Sequence, residues 1–328
     1  MIKDKDLILA TSAYAKEDRA KSWGLTISTI AVFLLAYAGA LVNVHFIPQL
    51  LCSIIAGLVT VRLFIIYHDY LHKSILQNSL LAEIIFTIYG WFVLAPVSIW
   101  RRSHNYHHAH NSKLYTSSIG SYPLVTKKEF LGAKKLEQRL YLFARHPFTI
   151  AFGYLFVFIW GMALRSLINN PKKHWDSILS LVFHAVLGTA VFMLFGWQSL
   201  LLGFFLPLMI AHAMGAYLFY AQHNFPGATF RSKEEWDYVY AALHSSSFMK
   251  MSKLMHWFTG NIGYHHIHHI NPRIPFYKLP TVYEEMEEFQ NPGTTSFTPK
   301  GIAECFRLKV WDPELGKMIG KKELFQSN

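Results

Sequence analysis

Lysine and arginine are missing from two long stretches of this chain: none occurs between Lys21 and Arg62, and none between Lys173 and Arg231. Each gap holds two apolar runs joined by a short turn, residues 24–44 and 48–67 in the first and 178–196 and 199–220 in the second. Every run is near or somewhat below the roughly 20 residues that a helix needs to cross a hydrocarbon core. Basic residues gather on the cytoplasmic side of membranes, so the two turns, 43–48 and 196–199, are expected to face away from it. The pattern predicts an all-α integral membrane fold with four transmembrane helices in two hairpins. Both termini, the long central loop and a helical cap then lie on the cytoplasmic side.

Two further apolar runs, 80–99 and 148–164, cannot each cross singly, because one extra crossing would put the following residues on the wrong side. They are read as interfacial or re-entrant helices. Phe86, Tyr89, Trp91, Trp100, Phe152 and Trp160 suit the headgroup level, and Pro96, Gly153 and Gly161 suit bent segments. If both crossed, residues 101–173 would be stranded outside.

Composition agrees. Of 328 residues 52% are hydrophobic and only 16% charged, with mean hydropathy +0.22, too apolar for an ordinary soluble domain of this size. The net charge of +11 sits beside apolar segments and no nucleic-acid motif appears, so an anionic bilayer surface is the expected partner. Cys52 and Cys305 make no disulfide framework. Three regions result: a polar cytoplasmic arm at 1–22, expected as a short surface helix without a signal-peptide pattern, a membrane domain at 23–290, and a tail at 291–328. Within the cap, Ser232-x-x-Glu235 and Thr281-x-x-Glu284 read as capping boxes for helices that follow.

The histidines carry the chemistry. In residues 263–275, Gly-Tyr-His-His-Ile-His-His-Ile-Asn-Pro-Arg-Ile-Pro, a helix would put His265, His268 and His269 on one face about 5–6 Å apart, with His266 turned away. A single such tract is as readily a solvated loop. It is not alone: His68 and His72 stand at i, i+4 where the second span ends, and His104, His107 and His108 stand at i, i+3, i+4 after the run at 80–99. The topology puts all three groups on one side of the membrane. His223, at the cytoplasmic end of the fourth span, lies opposite them and is read as a further ligand. His212 lies about 16 Å deeper, suited to lining a cavity or to a buried hydrogen bond. His45, His146, His174, His184, His244 and His256 lack partner spacing and are read as structural; His110 and His266 are left undecided.

Nine neutral imidazoles exceed the six ligands one metal usually accepts, so two metals are implied. An all-nitrogen shell excludes magnesium and calcium. The Glu-x-x-His di-iron pattern and the His-Glu-x-x-His zinc pattern are both absent. Iron is favoured because its open positions can activate dioxygen.

The three groups, His-x3-His, His-x2-His-His and His-x2-His-His, resemble the histidine boxes of the membrane fatty acid desaturases, in order, across residues 24–290. His-Asp-Tyr-Leu-His-Lys-Ser, His-Asn-Tyr-His-His-Ala-His and Gly-Asn-Ile-Gly-Tyr-His-His-Ile-His-His-Ile-Asn-Pro-Arg-Ile-Pro are similar to bacterial acyl-lipid desaturases of the delta-12 and delta-5 kind. Tyr70 stands where relatives often carry Cys, at no ligand position. The resemblance implies a fatty acid desaturase with a di-iron centre, two iron ions held by His68, His72, His104, His107, His108, His265, His268 and His269, with His223 matching a ninth ligand. It also implies dioxygen as co-substrate, an acyl-lipid or other activated acyl chain as substrate, a ferredoxin, flavodoxin or similar electron donor, and a bacterial inner membrane.

Asp69, Asn105 and Asn261 are expected as acceptors that orient imidazoles, or else as helix caps. Arg101, Arg102, Arg273 and Lys278 suit headgroup contact or a plain positive-inside role. Arg62, inside the second span, is expected to snorkel to the interface. The alternatives are a fatty acid hydroxylase or a carotenoid or alkane oxygenase on the same scaffold, a zinc hydrolase, and a His-rich metal carrier. The last should carry ionisable residues along its spans, whereas these clusters stand at helix ends.

Overall fold

The computed structural model describes residues 4–43, 45–114 and 122–324. Val44 in the first turn, residues 1–3 of the arm, 115–121 of the central loop and 325–328 of the tail lie outside them.

Helix α1 (Asp4–Ala10) and a 3-10 turn lead into α2 (Arg19–Leu41), where the Asp18 carboxylate accepts from the Lys21 amide and caps the first turn. After the short turn, α3 (Phe46–Leu71) runs back along α2. Tyr37 meets Thr60 at 3.1 Å, and Arg62 Nε donates to Thr29 at 3.0 Å, an antiparallel order of partners. Helices α4 (Leu80–Phe92) and α5 (Val97–Ala109) meet at 88° around Pro96, so the run at 80–99 is bent, as its proline suggests.

The central loop holds α6 (Lys127–Gly132) and α7 (Lys135–Ala144). The run at 148–164 is made of α8 (Pro147–Ala151), a π-helical stretch Tyr154–Leu164 and α9 (Arg165–Asn169). Next come α10 (Asp176–Leu200), a π turn Leu201–Phe205 and α11 (Leu206–Ala221).

Three helical stretches among the described residues are long and apolar enough to cross a membrane: Arg19–Leu41, Phe46–Leu71 and the joined Asp176–Ala221. The last is folded back on itself. Gly196 adopts φ +79°, and the His184 ring lies 4.9 Å from that of Phe204. Twenty residues of straight helix would separate those rings by about 30 Å. The α11 arm presses on α3 at Gly57, where a Cβ would stand 2.9 Å from the Pro207 carbonyl oxygen, so only glycine permits this approach.

Beyond Phe225 the chain builds a cap: α12 (Tyr238–His244), β1 (Phe248–Lys250), α13 (Lys253–Phe258), α14 (His265–Ile270) and α15 (Leu279–Glu285). The tail adds β2 (Thr294–Ser296), α16 (Pro299–Arg307), β3 (Leu308–Asp312), β4 (Lys317–Gly320) and α17 (Lys321–Leu324). Strand β1 pairs in parallel with β2, and β3 in antiparallel with β4.

Four expectations need correction. The fold is not all-α, because the tail closes two small sheets. Leu-Lys-Val-Trp-Asp at 308–312, followed by a turn through Gly316 at φ +58°, is an alternating strand and hairpin signal. Helix α12 is capped not by Ser232 but by Asp237, which accepts from the Tyr240 amide at 2.7 Å. Thr281 lies inside α15, which starts at Leu279 with Pro280 in its first turn. Arg62 does not snorkel: it is 4% exposed, donates to the Trp257 carbonyl and stacks 4.3 Å from that ring, tying α13 of the cap to α3.

The arm joins the cap too. Leu7 is buried with Val239 and Ile267, the Asn271 amide donates to Thr11 at 3.1 Å, and Tyr14 donates to Glu285 at 2.6 Å.

Candidate metal centre

Four elements end at one place. The last turn of α3 and its cap supply His68 and His72; α5 supplies His104, His107 and His108; the residue two beyond α11 is His223; and α14 supplies His265, His268 and His269. Helix α14 can carry six consecutive buried residues because both its faces have partners. Ile267 and Ile270 enter an apolar cluster with Val239, Leu279 and Val282, and the histidines face α3, α5 and the end of α11. The turn before it needs left-handed backbone, supplied by Gly260 and by Asn261 at φ +57°.

The imidazoles fall into two groups, each with its ligand nitrogens within 4.8 Å of one another: His68, His72, His104, His108 and His268 in one, His107, His223, His265 and His269 in the other. In the first, Nε2 atoms approach at 2.7 Å (His68 to His104), 3.2 Å (His72 to His68) and 3.1 Å (His108 to both His104 and His268). In the second the spacings are 3.2 Å (His107 to His269), 2.9 Å (His265 to His223) and 3.1 Å (His269 to His265).

Each Nε2 carries one proton or one lone pair, so at most two of the contacts in either group can be hydrogen bonds. His68 Nδ1 stands 3.1 Å from Asp69 Oδ1, and His223 Nδ1 stands 2.9 Å from the Ser245 carbonyl oxygen. Each acceptor places the ring proton on Nδ1 and leaves a bare lone pair on Nε2. Lone pairs converging at these distances repel unless a cation lies among them. A metal about 2.1 Å from each imidazole nitrogen sets right-angle neighbours about 3.0 Å apart, which is the spacing seen. The residues therefore fit two imidazole-bound metal ions, and the all-nitrogen donor set suits a transition metal. Burial first, then the closeness of the other rings, holds His72, His265, His268 and His269 well below the usual imidazole range, and burial brings His223 down to about 4. They stay neutral and able to ligate at physiological pH.

An apolar cavity opens beside the groups at His68, His104 and His265 and is lined between the helices by Phe64, Val93, Phe158 and His212. His212 belongs to that cavity and not to either metal group; its Nδ1 and Nε2 lie 2.6 Å and 3.0 Å from the carbonyl oxygens of Leu208 and Val93.

Among the three expected orienting residues, Asp69 alone faces an imidazole. Its second oxygen accepts from the Phe276 amide at 2.7 Å, which anchors the loop after α14. Asn105 is exposed, rotated about 100° from His104 onto the outer face of α5. Asn261 donates to the Phe276 carbonyl at 3.1 Å and shapes the turn. Ser245 was not foreseen, since a backbone carbonyl leaves no trace in residue type. His266 turns away and lies 3.1 Å from the Phe289 carbonyl oxygen.

Residues 44–300 match the fatty acid desaturase family. The chain is 32% identical to a fatty acid desaturase of Bacillus subtilis over 95% of this chain and 89% of the relative. It is 20% identical to an sn-1 oleoyl-lipid 12-desaturase of Anabaena variabilis over 83% of this chain and 78% of that one. A chloroplastic omega-6 fatty acid desaturase of Glycine max is 24% identical over 83% of this chain, which spans 63% of the plant protein.

Proposed function

Because this chain belongs to the fatty acid desaturase family, an oxidoreductase class, we propose that it is an oxygen-dependent di-iron desaturase that introduces a double bond into the acyl chain of a membrane lipid. The observation that carries the reading is the convergence of nine neutral imidazoles, in groups of five and four, beside an apolar cavity that His68, His104 and His265 line. Iron held by these two groups of histidines would supply the dioxygen activation that removal of hydrogen from two adjacent methylenes needs.

The chain's own residues do the rest. Asp69 and the Ser245 carbonyl keep the ring protons of His68 and His223 on the far side from the metals. The cavity between α3 and α11 takes the acyl chain away from water, and burial of each methylene contributes about 0.8 kcal/mol, so a long chain supplies much of its own binding energy. That relatives are named for acting on oleoyl lipids supports a lipid-borne substrate. A ferredoxin, flavodoxin or similar protein delivers the electrons.

The helices support a topology of four crossings, α2 with α3 and the two arms that meet at Gly196. The bent pair α4–α5 and the run through α8 and α9 lie at the interface, with the cap and both termini in the cytoplasm of a bacterial inner-membrane protein. The test is expression, with a competent electron donor, in a host lacking polyunsaturated lipids, beside a His268→Ala control. New double bonds absent from the control are expected; an acyl profile identical in both would sink the proposal.

A further inference from the structure

A second cavity adjoins the centre at His223, and Phe219 lines both it and the apolar one. Its walls mix aromatic rings with Asn111, Ser112, Arg145 and Asn224, and Arg145 is the residue that needs explaining. It is 2% exposed, and one terminal amine donates to the Pro123 carbonyl at 2.8 Å and the other to Asn224 Oδ1. The guanidinium carbon stands 5.2 Å from the Tyr220 ring centre and 5.5 Å from that of Tyr141, and Nε has no hydrogen-bond partner among the described residues. No carboxylate pairs with Arg145 among the described residues. Residues 115–121, Tyr-Thr-Ser-Ser-Ile-Gly-Ser, contain no acid that could. A guanidinium taken out of water costs several kcal/mol, and a carbonyl, an amide oxygen and two ring faces offset only part of it.

We infer that this pocket binds the anionic phosphate at the head of the acyl-lipid substrate, with Arg145 as its counter-ion and the acyl chain passing Phe219 toward the centre and the apolar cavity. The inference rests on the lipid-substrate reading above and assigns the chemistry of the head. A guanidinium fork matches phosphate oxygens. Asn224 holds Arg145 and follows His223 directly, so the group that grips the head is tied to the chain beside one of the metal-binding histidines.

The test is lipid binding to the purified full-length protein in neutral detergent, read by thermal shift. The probes are a phosphatidylglycerol, an uncharged galactosyl diacylglycerol with the same acyl chains, and the free fatty acid. Phosphatidylglycerol is expected to bind on the order of tenfold tighter than the galactolipid, the size of a charge-assisted contact. Arg145→Gln should abolish that preference without weakening galactolipid binding, and Arg145→Lys should recover part of it. Equal affinity for the two lipids overturns the inference. So does a preference that survives in Arg145→Gln, which would be surface charge alone, or tighter binding of the free fatty acid than of either lipid. Loss of affinity for both lipids in both variants would make Arg145 a packing residue and overturn it too. The readout does not need turnover: phosphate preference without new double bonds sinks the desaturase reading alone, and desaturation with equal binding of both lipids sinks the site alone.

Discussion

Asp69 holds two things at once, the Nδ1 proton of His68 and the amide of Phe276. Both partners are donors, so both carboxylate oxygens must accept. In Asp69→Asn one of the two contacts becomes donor against donor whichever way the amide turns. The expected result is a 10- to 100-fold loss of metal affinity, the usual effect of removing a partner that orients a ligand, read as bound metal against free metal; unchanged affinity would show that Asp69 does not orient the ring. His266 makes a different demand. Burial brings its pKa down to about 4, and its Nδ1 has no acceptor among the described residues, so a second proton would be unpaired there. A depressed imidazole stabilises the fold above the ordinary value of about 6.5 and loses that contribution as pH falls toward 4, about 1 kcal/mol between pH 7.5 and 5.5. His266→Gln keeps a donor for the Phe289 carbonyl and cannot titrate, so its Tm should fall less than the parent's on acidification; parallel curves would refute the assignment. Asp69 and Asn105 each follow a ligand directly on a helix and are turned about 100° from it, so adjacency could not separate them; the loop at Phe276 covers Asp69, whereas the side of α5 that carries Asn105 is exposed.

At the level of elements, the boxes do not map one to each metal. The i, i+4 pairs stay together: His68 with His72, His104 with His108, His265 with His269. The i+3 members cross over, His107 to the group of His265 and His268 to the group of His104, because on a helix i+3 and i+4 lie about 100° apart. Sequence spacing revealed the three boxes and the need for two metals. It could not reveal the exchange, which depends on how α5 and α14 are turned toward each other by Ile267, Ile270 and their apolar partners. The exchange makes neighbouring residues unequal. His107→Ala should cost the metal of the four-histidine group and His108→Ala that of the five-histidine group, each leaving about one metal per chain. Only the double variant should lose both. Elemental analysis of purified protein decides it, and a single variant that releases both metals would show that the groups are not separable.

For the whole molecule, the Lys/Arg-free gaps made both hairpins readable, since basic residues and hydrocarbon length are properties of composition and need no tertiary knowledge. What they could not show is how the periphery closes. The arm is held to the cap by Tyr14 on Glu285, 271 residues away, and the cap to α3 by Arg62 on Trp257, 195 residues away; the β3–β4 hairpin is a local pairing that the gaps say nothing about. The proposed topology puts the turn at Gly196 on one side of the membrane and the β3–β4 hairpin on the other. Trp197 and Leu315 are exposed at these two places, 66% and 53%. With Cys52 replaced by serine and Cys305 buried, a single cysteine at either position reports its side by reaction with an impermeant maleimide. Trp197→Cys should label in cells whose inner membrane is intact, and Leu315→Cys only after that membrane is opened. Equal labelling of both before permeabilisation would remove the four-crossing arrangement and, with it, the cytoplasmic supply of electrons to the histidine groups.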